Sequence, residues 1–271
     1  MADKRIRLLT EQDLKFAQNL RSIAGWNQTD RDWIRMLEHS PEGCFLCEYE
    51  GQPAATATTV CYGQSLAWIG MILVHPNFRR KGIARFLLEH CLDDLLNQKR
   101  IRCVKLDASQ EGQPMYEKLG FREEYVLSRW AGQTQVMDAP SPQVSKFPQH
   151  LDQQGFGADR QDYLQKLSEV SLQAIEWEAG FGMIREGSNK MYLGPIVAQT
   201  KETGRSLVAN LMKAAPSASI YWDIPEDNSS AVQLAEELHF QRERPLLRMW
   251  IGQLVASDPN LQWAISGPET G

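Results

Sequence analysis

Three adjacent cations and a glycine stand between an apolar segment and a segment with helical periodicity. They are Arg79, Arg80, Lys81 and Gly82. Where a strand leads into a helix, the first backbone N–H groups of the helix have no intrahelical partner, and the helix dipole adds partial positive charge. Such a helix start binds anions, and a glycine there lets a phosphate approach the backbone. The stretch is therefore a candidate pyrophosphate site, with a solvated basic turn as the alternative.

The segments on either side of these residues predict a strand–helix–strand unit. An apolar strand is expected over about Leu66 to Val74. Apolar residues recur along one face of the helix that Gly82 opens, which is typical of a helix packed on a sheet. A second strand follows in "IRCVKLDAS". Two parallel strands joined by a right-handed crossover are the expected result.

More helices and strands are predicted around this unit. Two helices are expected in the first 40 residues, over Glu11–Ser22 and Arg31–His39, because Thr10 and Asp30 are good N-caps. The remaining predicted elements are strands over about Cys44–Tyr49 and Ala54–Cys61, a short helix over Gln113–Lys118 that ends at Gly120, and a strand in "EEYVLSRWAG".

Composition argues against several classes of function. The net charge of -5 gives no broad attraction to nucleic acid or anionic lipid, so any anion site must be local. No apolar stretch reaches the roughly 18 residues of a membrane span, and the first residues are too polar for a secretory signal. Five cysteines at no disulfide-framework spacing fit a reducing compartment. We expect a cytoplasmic protein, without a metal at the CxxC of Cys44 and Cys47.

The second half of the sequence repeats the first. "GFREEYVLSRW" and "HFQRERPLLRM" align without a gap when Phe121 is matched with Phe240, and two upstream blocks echo each other in the same order. Between the halves, "QTQVMDAPSPQVSKFPQH" loses all periodicity and is typical of a linker. The 271 residues suffice for two domains. We predict domains over residues 1–132 and 151–271, joined by a linker over residues 133–150.

Two motifs of the first half together resemble the GNAT superfamily of acyl-CoA-dependent N-acyltransferases. The phosphate loop of that family follows a strand ending in V-x-P and reads Gln or Arg, two residues, Gly, one residue, Gly or Ala. Residues 79–84, "RRKGIA", match it. The family's other marker is a Tyr on a short helix that closes with Gly-Phe, and "MYEKLGF" matches that. The resemblance covers about Ile6 to Gly132 and, more faintly, Gln161 to Gly252.

The resemblance implies where acyl-CoA binds. In this fold the strand that ends at Val74 splays from the strand that reaches Asp107, and pantetheine lies in the gap and bonds to the backbone as an added strand would. A backbone N–H near Ile72 or Leu73 would then hold the thioester oxygen, which becomes an oxyanion. The resemblance assigns acyl-CoA binding to Ile72, Leu73, Val74, Arg79, Arg80, Lys81, Gly82, Ile83, Ala84 and Arg85.

The resemblance also assigns a catalytic acid but no base. Tyr116 would protonate the departing CoA thiolate, although a Tyr in an amphipathic helix is often a core residue. The central strand "LAWIGMILV" carries no Asp or Glu, so the carboxylate that many relatives use there is missing. Asp107 and ordered water are the remaining options in this half. In the second half, Glu176 and Glu178 could neutralise a substrate ammonium or lie exposed on a helix.

In relatives, the loop between the first two helices closes over the acceptor. Here it reads "AGWNQT", and Trp26, Asn27 and Gln28 offer a flat apolar face and two amides. Such a surface suits a polar amine. The alternative is that Trp26 only packs the two helices together.

The second half lacks the features of the first-half site. "QTKETGRS" replaces "HPNFRRKGIA" and carries Glu202, and Ala235 aligns with Tyr116. We expect a degenerate module that keeps the fold and completes the substrate pocket.

The sequence thus predicts an α/β protein of two tandem GNAT-like modules, each with a mixed, centrally splayed sheet flanked by helices. The expected activity is transfer of an acetyl group from acetyl-CoA to a primary amine of a small molecule. Transfer to a protein N-terminus or lysine, or acyl-CoA binding for regulation alone, are the alternatives. The sequence does not indicate the oligomeric state.

Overall fold

A computed structural model of the chain describes residues 3–140, 148–177 and 179–271. The strands in these ranges form one continuous sheet of twelve strands, flanked by helices. The predicted mixed α/β architecture is confirmed, with the difference that the two halves share a single sheet. Of the predicted linker, residues 141–147 lie outside the described residues. None of the helices within the described ranges combines the length and the apolarity that crossing a bilayer requires.

The first half begins with a strand that the sequence reasoning missed. Residues 4–8, "KRIRL", form an edge strand paired with the segment after residue 43, although their cations hide the alternation of a half-buried strand. The bounds of the first half are β1 Lys4–Leu8, α1 Leu14–Ile23, α2 Asp30–His39, β2 Cys44–Tyr49, β3 Gln52–Tyr62, β4 Leu66–Val74, α3 Ile83–Leu92, β5 Cys103–Ala108, α4 Gln113–Lys118 and β6 Arg122–Gln133.

The N-cap of α2 differs from the prediction. Thr29, not Asp30, is the capping residue: its side chain accepts a hydrogen bond from the N–H of Asp32, and the Asp32 carboxylate bonds back to the N–H of Thr29. This reciprocal capping box satisfies two N–H groups that a cap at Asp30 would leave open. The loop that precedes α2 therefore ends in a fixed conformation.

A bulge and an early end of pairing separate β4 from β5. The two strands pair in parallel only from Leu66 to Trp68. Farther along β4, the register with β3 shifts between Gly70 and Leu73, and Met71 has a left-handed φ of 50°. The Thr56 hydroxyl donates to the Met71 carbonyl at 3.0 Å and holds this bulge. Because bulges bend a strand, β4 diverges from β5 and leaves a gap between them.

The second half repeats this order of elements. Its bounds are α5 Gln149–Phe156, α6 Gln161–Val170, β7 Gln173–Trp177, β8 Gly180–Arg185, β9 Met191–Ala198, α7 Lys201–Lys213, β10 Ser219–Pro225, α8 Ser229–Glu237, β11 Gln241–Gly252 and β12 Gln262–Ala264.

The two halves exchange their last long strands. The sheet order is β1-β2-β3-β4-β5-β11-β6-β10-β9-β8-β7, so β11 lies between β5 and β6, and β6 pairs with β10. Buried ion pairs cross the exchange. Arg129 of β6 binds Asp223 of β10, with Nε to Oδ1 at 2.8 Å and Nη2 to Oδ2 at 2.6 Å. Arg248 of β11 binds Asp107 of β5 in the same manner. The halves are therefore interlocked.

In the second half, the gap between the central strands is filled by the chain itself. β9 and β10 pair in parallel only near Met191 and Tyr192 and then separate. Into this gap runs the final segment, residues 258–271, whose strand β12 pairs with β9. The side chain of Asn228 donates to the carbonyls of Asn260 and Gln262 and fixes the segment there.

Candidate active site

The loop over residues 79–84, the phosphate loop, has the backbone of an anion site. Arg80 and Gly82 both adopt left-handed φ angles, 62° and 71°. Within the described residues, the N–H groups of Arg80, Lys81 and Gly82 donate to no acceptor. The helix that follows has no side-chain cap in the described part of the chain, and its first N–H groups make no hydrogen bond there either. These donors converge where the helix dipole is positive, which suits a pyrophosphate.

Three of the cations expected to bind acyl-CoA make contacts within the chain: Arg79, Lys81 and Arg85. Lys81 Nζ lies 4.5 Å from the ring centroid of Tyr49. Arg85 is paired with Glu89 on the exposed face of α3. Arg79 Nε donates to the Val74 carbonyl at 3.3 Å.

Arg80 and Lys4 are two further cations at the loop. Arg80 is exposed and makes no hydrogen bond or ion pair within the described residues. Lys4 Nζ lies 3.5 Å from the position that a Cβ atom on Gly82 would take. The sequence reasoning missed Lys4, because it belongs to the unpredicted strand β1. Ile83 is buried in the core and Ala84 is half-buried, so these two residues contribute backbone only.

A cavity of about 590 Å³ occupies the gap between β4 and β5. Ile72, Leu73 and Val74 of β4 line it, and Arg79 stands beside them. Within the described ranges, the pairing of β4 with β5 ends at Trp68, so the backbone edge of β4 that faces this cavity is not taken by β5 beyond that residue. An edge of this kind accepts an extended ligand through main-chain hydrogen bonds, as an added strand would bond. The cavity and the phosphate loop together fit a ligand with a pyrophosphate and an extended amide arm.

Tyr116 lines the same cavity from α4. Its ring contacts Phe121 edge-on at 5.8 Å between centroids, and its hydroxyl makes no hydrogen bond within the described residues. Burial raises the pKa of the Tyr116 phenol to about 12. The phenol therefore stays protonated at neutral pH and can act as a proton donor.

A carboxylate that the sequence reasoning missed lies in the cavity. The backbone of Glu269, in the final segment, packs so closely on Gly70 of β4 that a Cβ atom there would lie 2.5 Å from the Glu269 carbonyl oxygen. The Glu269 residue is 3% exposed. Its Oε2 accepts a hydrogen bond from Gln28 Nε2 at 2.7 Å, and its Oε1 lies 3.8 Å from Arg185 Nη2. Burial raises the pKa of this carboxyl, against the opposing effect of Arg185.

Two hydrogen bonds hold the final segment in place beside β4. Trp68 Nε1 donates to the carbonyl of Pro268 at 3.0 Å, and the Tyr62 hydroxyl donates to the carbonyl of Thr270 at 2.8 Å. Both donors are buried in the first half. Glu269 is thus fixed from both sides, although its position in the sequence lies far from every first-half element.

Of the three residues expected at the acceptor, two line the cavity. Trp26 lines it and also packs against the core, and its role at the acceptor stays a prediction. Gln28 lines it as well, and its buried Oε1 has no hydrogen-bond partner within the described residues. Asn27 is different: its amide bonds to Asn189 and Lys190 and holds the loop between β8 and β9. We therefore leave Asn27 out of the acceptor site.

The two other candidate carboxylates that the structure describes are not available as a base in the cavity. Asp107 lies on the cavity wall, but its side chain is buried in the ion pair with Arg248. Glu176 is exposed in strand β7, not on a helix as expected, and does not line the cavity. Glu178 lies outside the described residues. Glu269 is thus the cavity carboxylate that is both buried and outside a close ion pair.

The equivalent positions of the second half cannot form the same site. Thr200 caps α7 by accepting from the N–H of Thr203, so this helix start is closed by its own chain. Ala235, which aligns with Tyr116, is buried. Trp263 of the final segment lies directly over Gly204. Among the described residues, no group of His, Cys, Asp or Glu side chains is arranged to hold a metal ion.

Comparisons with known proteins place both halves in one family. Residues 10–121 match the acetyltransferase (GNAT) family, and residues 149–263 match an acetyltransferase (GNAT) domain. An uncharacterized N-acetyltransferase of Bacillus subtilis, YitH, is 24% identical over 256 residues, which cover 88% of this chain and 89% of that protein. A holothin acyltransferase of a Pseudoalteromonas species is 24% identical over 264 residues, 91% of this chain and 87% of the relative.

The fold also matches solved structures. The crystal structure of a proposed acetyltransferase from Pyrococcus horikoshii superposes with a TM-score of 0.86 and 22% sequence identity, over 99% of this chain and 96% of that one. At this identity the likeness concerns the fold. The match extends over both halves, so the tandem arrangement is shared.

Proposed function

The chain belongs to the GNAT acetyltransferase family, with two such domains in tandem, and from this premise we propose that it transfers an acetyl group from acetyl-CoA to a primary amine of a small molecule. The observation that carries the proposal is Glu269, a buried carboxylate in the cavity at the splay of β4 and β5. An amine acceptor is a cation at neutral pH and must lose a proton before it can attack. A buried carboxylate beside the bound amine can attract the ammonium and then accept its proton.

The proposal assigns acyl-CoA to the first half. The free N–H groups of residues 80–82 and the cations of Arg80 and Lys4 suit the pyrophosphate. The open edge of β4 over Ile72–Val74 suits pantetheine, and one of its N–H groups suits the thioester oxygen. We keep the proposed division into a domain over residues 1–132, a linker over 133–150 and a degenerate domain over 151–271. The second domain contributes the carboxylate and the outer wall of the cavity.

Two side chains move protons in the proposed reaction. Bound acyl-CoA would supply the thioester carbonyl that the amine attacks and the thiolate that leaves. Glu269 takes the proton of the substrate ammonium at Oε1 or Oε2, and the unpartnered Oε1 of Gln28 orients the amine by accepting a hydrogen bond. Tyr116 gives its phenolic proton to the departing thiolate. Glu269 then releases its proton to water and Tyr116 takes a proton from water, which restores both side chains.

The walls of the cavity favour a small acceptor over a protein chain. One wall of the cavity is built by the second half, through β11 and the final segment. It contains Arg244, Pro245 and Pro268. A peptide substrate needs an open groove along which an extended chain can lie. A purely regulatory acyl-CoA-binding protein is also disfavoured, because such a protein needs neither Tyr116 nor Glu269 beside the splay.

The experiment that tests the function is a screen of amines for CoA release. Purified protein is incubated with acetyl-CoA and a panel of primary amines, and free thiol is measured with a thiol reagent. We expect amine-dependent release with at least one small amine and none with peptides of random sequence. Release with peptides alone would favour protein acetylation, and binding of acetyl-CoA without turnover on any acceptor would favour the regulatory alternative.

A further inference from the structure

One guanidinium in the cavity has no partner among the residues that the structure describes. Arg244 of β11 lines the cavity and is half-buried. Within the described residues it makes no hydrogen bond and no ion pair. Burial lowers its pKa, and the neighbouring charge of Arg129 adds to this effect. The nearby charges of Asp223 and Glu243 oppose this lowering of the pKa. An arginine stays protonated, so a charged guanidinium without a direct partner among the described residues faces the cavity.

A bulge in β11 is what turns Arg244 toward the cavity. Arg242 pairs with Trp130 of β6, whereas Arg244 pairs with the adjacent residue, Arg129, because Glu243 is an extra residue in the strand. Paired side chains of antiparallel strands lie on the same face of the sheet, and neighbouring residues of one strand lie on opposite faces. Arg242 and Arg244 therefore lie on opposite faces. Arg242 stacks on the Trp130 ring at 4.8 Å, away from the cavity.

The anions near Arg244 are paired with other cations, Asp223 with Arg129 and Glu243 with Lys190. Arg129 is neutralised by its two hydrogen bonds to Asp223. Arg79 also lines the cavity, but it belongs to the phosphate loop and donates to the Val74 carbonyl. A single unpaired guanidinium matches a single carboxylate, which it can hold through two parallel hydrogen bonds. A phosphate dianion would call for a second free cation.

The equivalent position in the closed half carries no charge. Tyr125 aligns with Arg244 and follows the same kind of bulge, at Glu124 of β6. Its hydroxyl accepts hydrogen bonds from Arg248 and from Gln262 of the final segment, so it is fully used in packing. The unpaired cation thus occurs where the gap between the central strands is open.

We propose that Arg244 binds a carboxylate of the acceptor, and hence that the acceptor is an amino acid or another amine that carries a carboxylate. The inference rests on the proposed function, since it specifies the substrate of the same site. Glu269 and Gln28 receive the amino end of such a molecule, and Arg244 receives its acidic end. The ammonium of the acceptor then meets the carboxylate of Glu269, and its carboxylate meets the guanidinium of Arg244.

The test compares amines that differ only in a carboxylate. Acetyl-CoA and the full-length protein are assayed with glycine against methylamine, β-alanine against ethylamine, and γ-aminobutyrate against propylamine, and with larger amino acids against their decarboxylated amines. We expect kcat/KM to be at least tenfold higher for the carboxylated member of the best pair. Arg244→Met should abolish this preference, and Arg244→Lys should restore part of it. Arg242→Met, on the other face of the same strand, is the matched control and should leave the preference unchanged.

The outcomes separate this inference from the proposed function. Equal rates for the two members of every pair, or a preference that survives Arg244→Met, would overturn the role of Arg244 while leaving amine acetylation intact. An increase of the Kd for acetyl-CoA in Arg244→Met, with no change in the preference, would show that Arg244 binds CoA instead. Absence of turnover with every amine would remove the proposed function, and this inference with it.

Discussion

Arg248, in the last long strand of the second half, forms a bidentate ion pair with Asp107 of the first half, with Nε to Oδ1 at 2.9 Å and Nη2 to Oδ2 at 3.0 Å. The side chains are 1% and 0% exposed. Arg129 and Asp223 form the corresponding pair in the opposite direction. Each half therefore supplies the counter-charge of the other, and neither half can bury its own charge when separated.

The first prediction concerns this pair. Arg248→Met should destabilise the protein by about 3–5 kcal/mol, because it leaves the Asp107 carboxylate buried without a partner. Arg205→Met removes an arginine from the exposed pair with Glu237 and should cost at most about 1 kcal/mol. Denaturant unfolding of both variants measures the difference. If both variants lose the same unfolding free energy, the ion pair of Arg248 and Asp107 does not hold the two halves together.

Features formed by one contiguous stretch of sequence could be predicted, whereas features that depend on contacts between distant stretches could not. The phosphate loop and the helix of Tyr116 are contiguous motifs, so their resemblance to the GNAT pattern could be recognised from the sequence. The repeat was also visible, because both copies keep their apolar periodicity. Glu269 escaped notice because only the tertiary structure brings the final segment onto β4. Arg244 escaped notice because its face depends on a one-residue bulge, which the sequence does not mark.

Asn27 illustrates an error of the opposite kind. Its neighbours Trp26 and Gln28 line the cavity, and its amide was expected to do so as well. Instead, the side chain bonds to the backbone of residues 189 and 190. A loop position alone does not determine which way a side chain points, and the partner loop lies about 160 residues away in the sequence.

The second prediction concerns the phosphate loop. Arg80→Gly removes a charge and keeps the left-handed backbone, since glycine adopts positive φ without strain. We expect the Kd for acetyl-CoA to rise about tenfold, about 1.4 kcal/mol. Arg100→Gly is the matched control, because Arg100 is also exposed and has a φ of 55°. Calorimetric titration should show that the control binds acetyl-CoA with the wild-type affinity. If Arg80→Gly also keeps the wild-type Kd, Arg80 does not bind the pyrophosphate.

The third prediction concerns Tyr116. Tyr116→Phe keeps the ring and its contact with Phe121 but removes the proton donor. We expect kcat to fall by about 10²–10⁴-fold, the usual contribution of a general acid, while the Kd for acetyl-CoA and the Tm hold steady. If kcat is unchanged and the Tm falls, Tyr116 is a core residue and another group protonates the thiolate.

The fourth prediction concerns the pH dependence that Glu269 imposes. Its pKa is raised in the folded protein, so the carboxyl remains protonated to a higher pH than an ordinary Glu. The base form is therefore lost as the pH falls through this raised pKa, and kcat/KM should decline on the acidic side at a pH above the usual range of a Glu. Glu269→Gln should lower kcat/KM at neutral pH and remove that limb of the profile.

The same shift predicts an opposite effect on stability. The folded protein holds the Glu269 proton more tightly than the unfolded chain, so this group contributes stability below its unfolded pKa of about 4.3 and loses it as the pH rises through the folded pKa. Glu269→Gln keeps the neutral form at every pH. As the pH rises from the unfolded pKa to the folded pKa of Glu269, the wild type should therefore lose unfolding free energy relative to the variant. A constant difference would indicate an ordinary pKa.

The last prediction concerns the number of acyl-CoA sites. In the second half, β12 pairs with β9 along the edge that pantetheine would use, Trp263 covers Gly204, and Thr200 caps the helix start. Each of the three contacts that would hold acyl-CoA is thus already made by the chain. We predict one acyl-CoA per chain, bound between β4 and β5. Calorimetric titration gives the stoichiometry, and Arg80→Gly identifies the half, since it should weaken the single site. Two sites of similar affinity, or a single site that is insensitive to Arg80, would mean that the final segment leaves the second gap in solution and that the local positive charge does not select the cofactor.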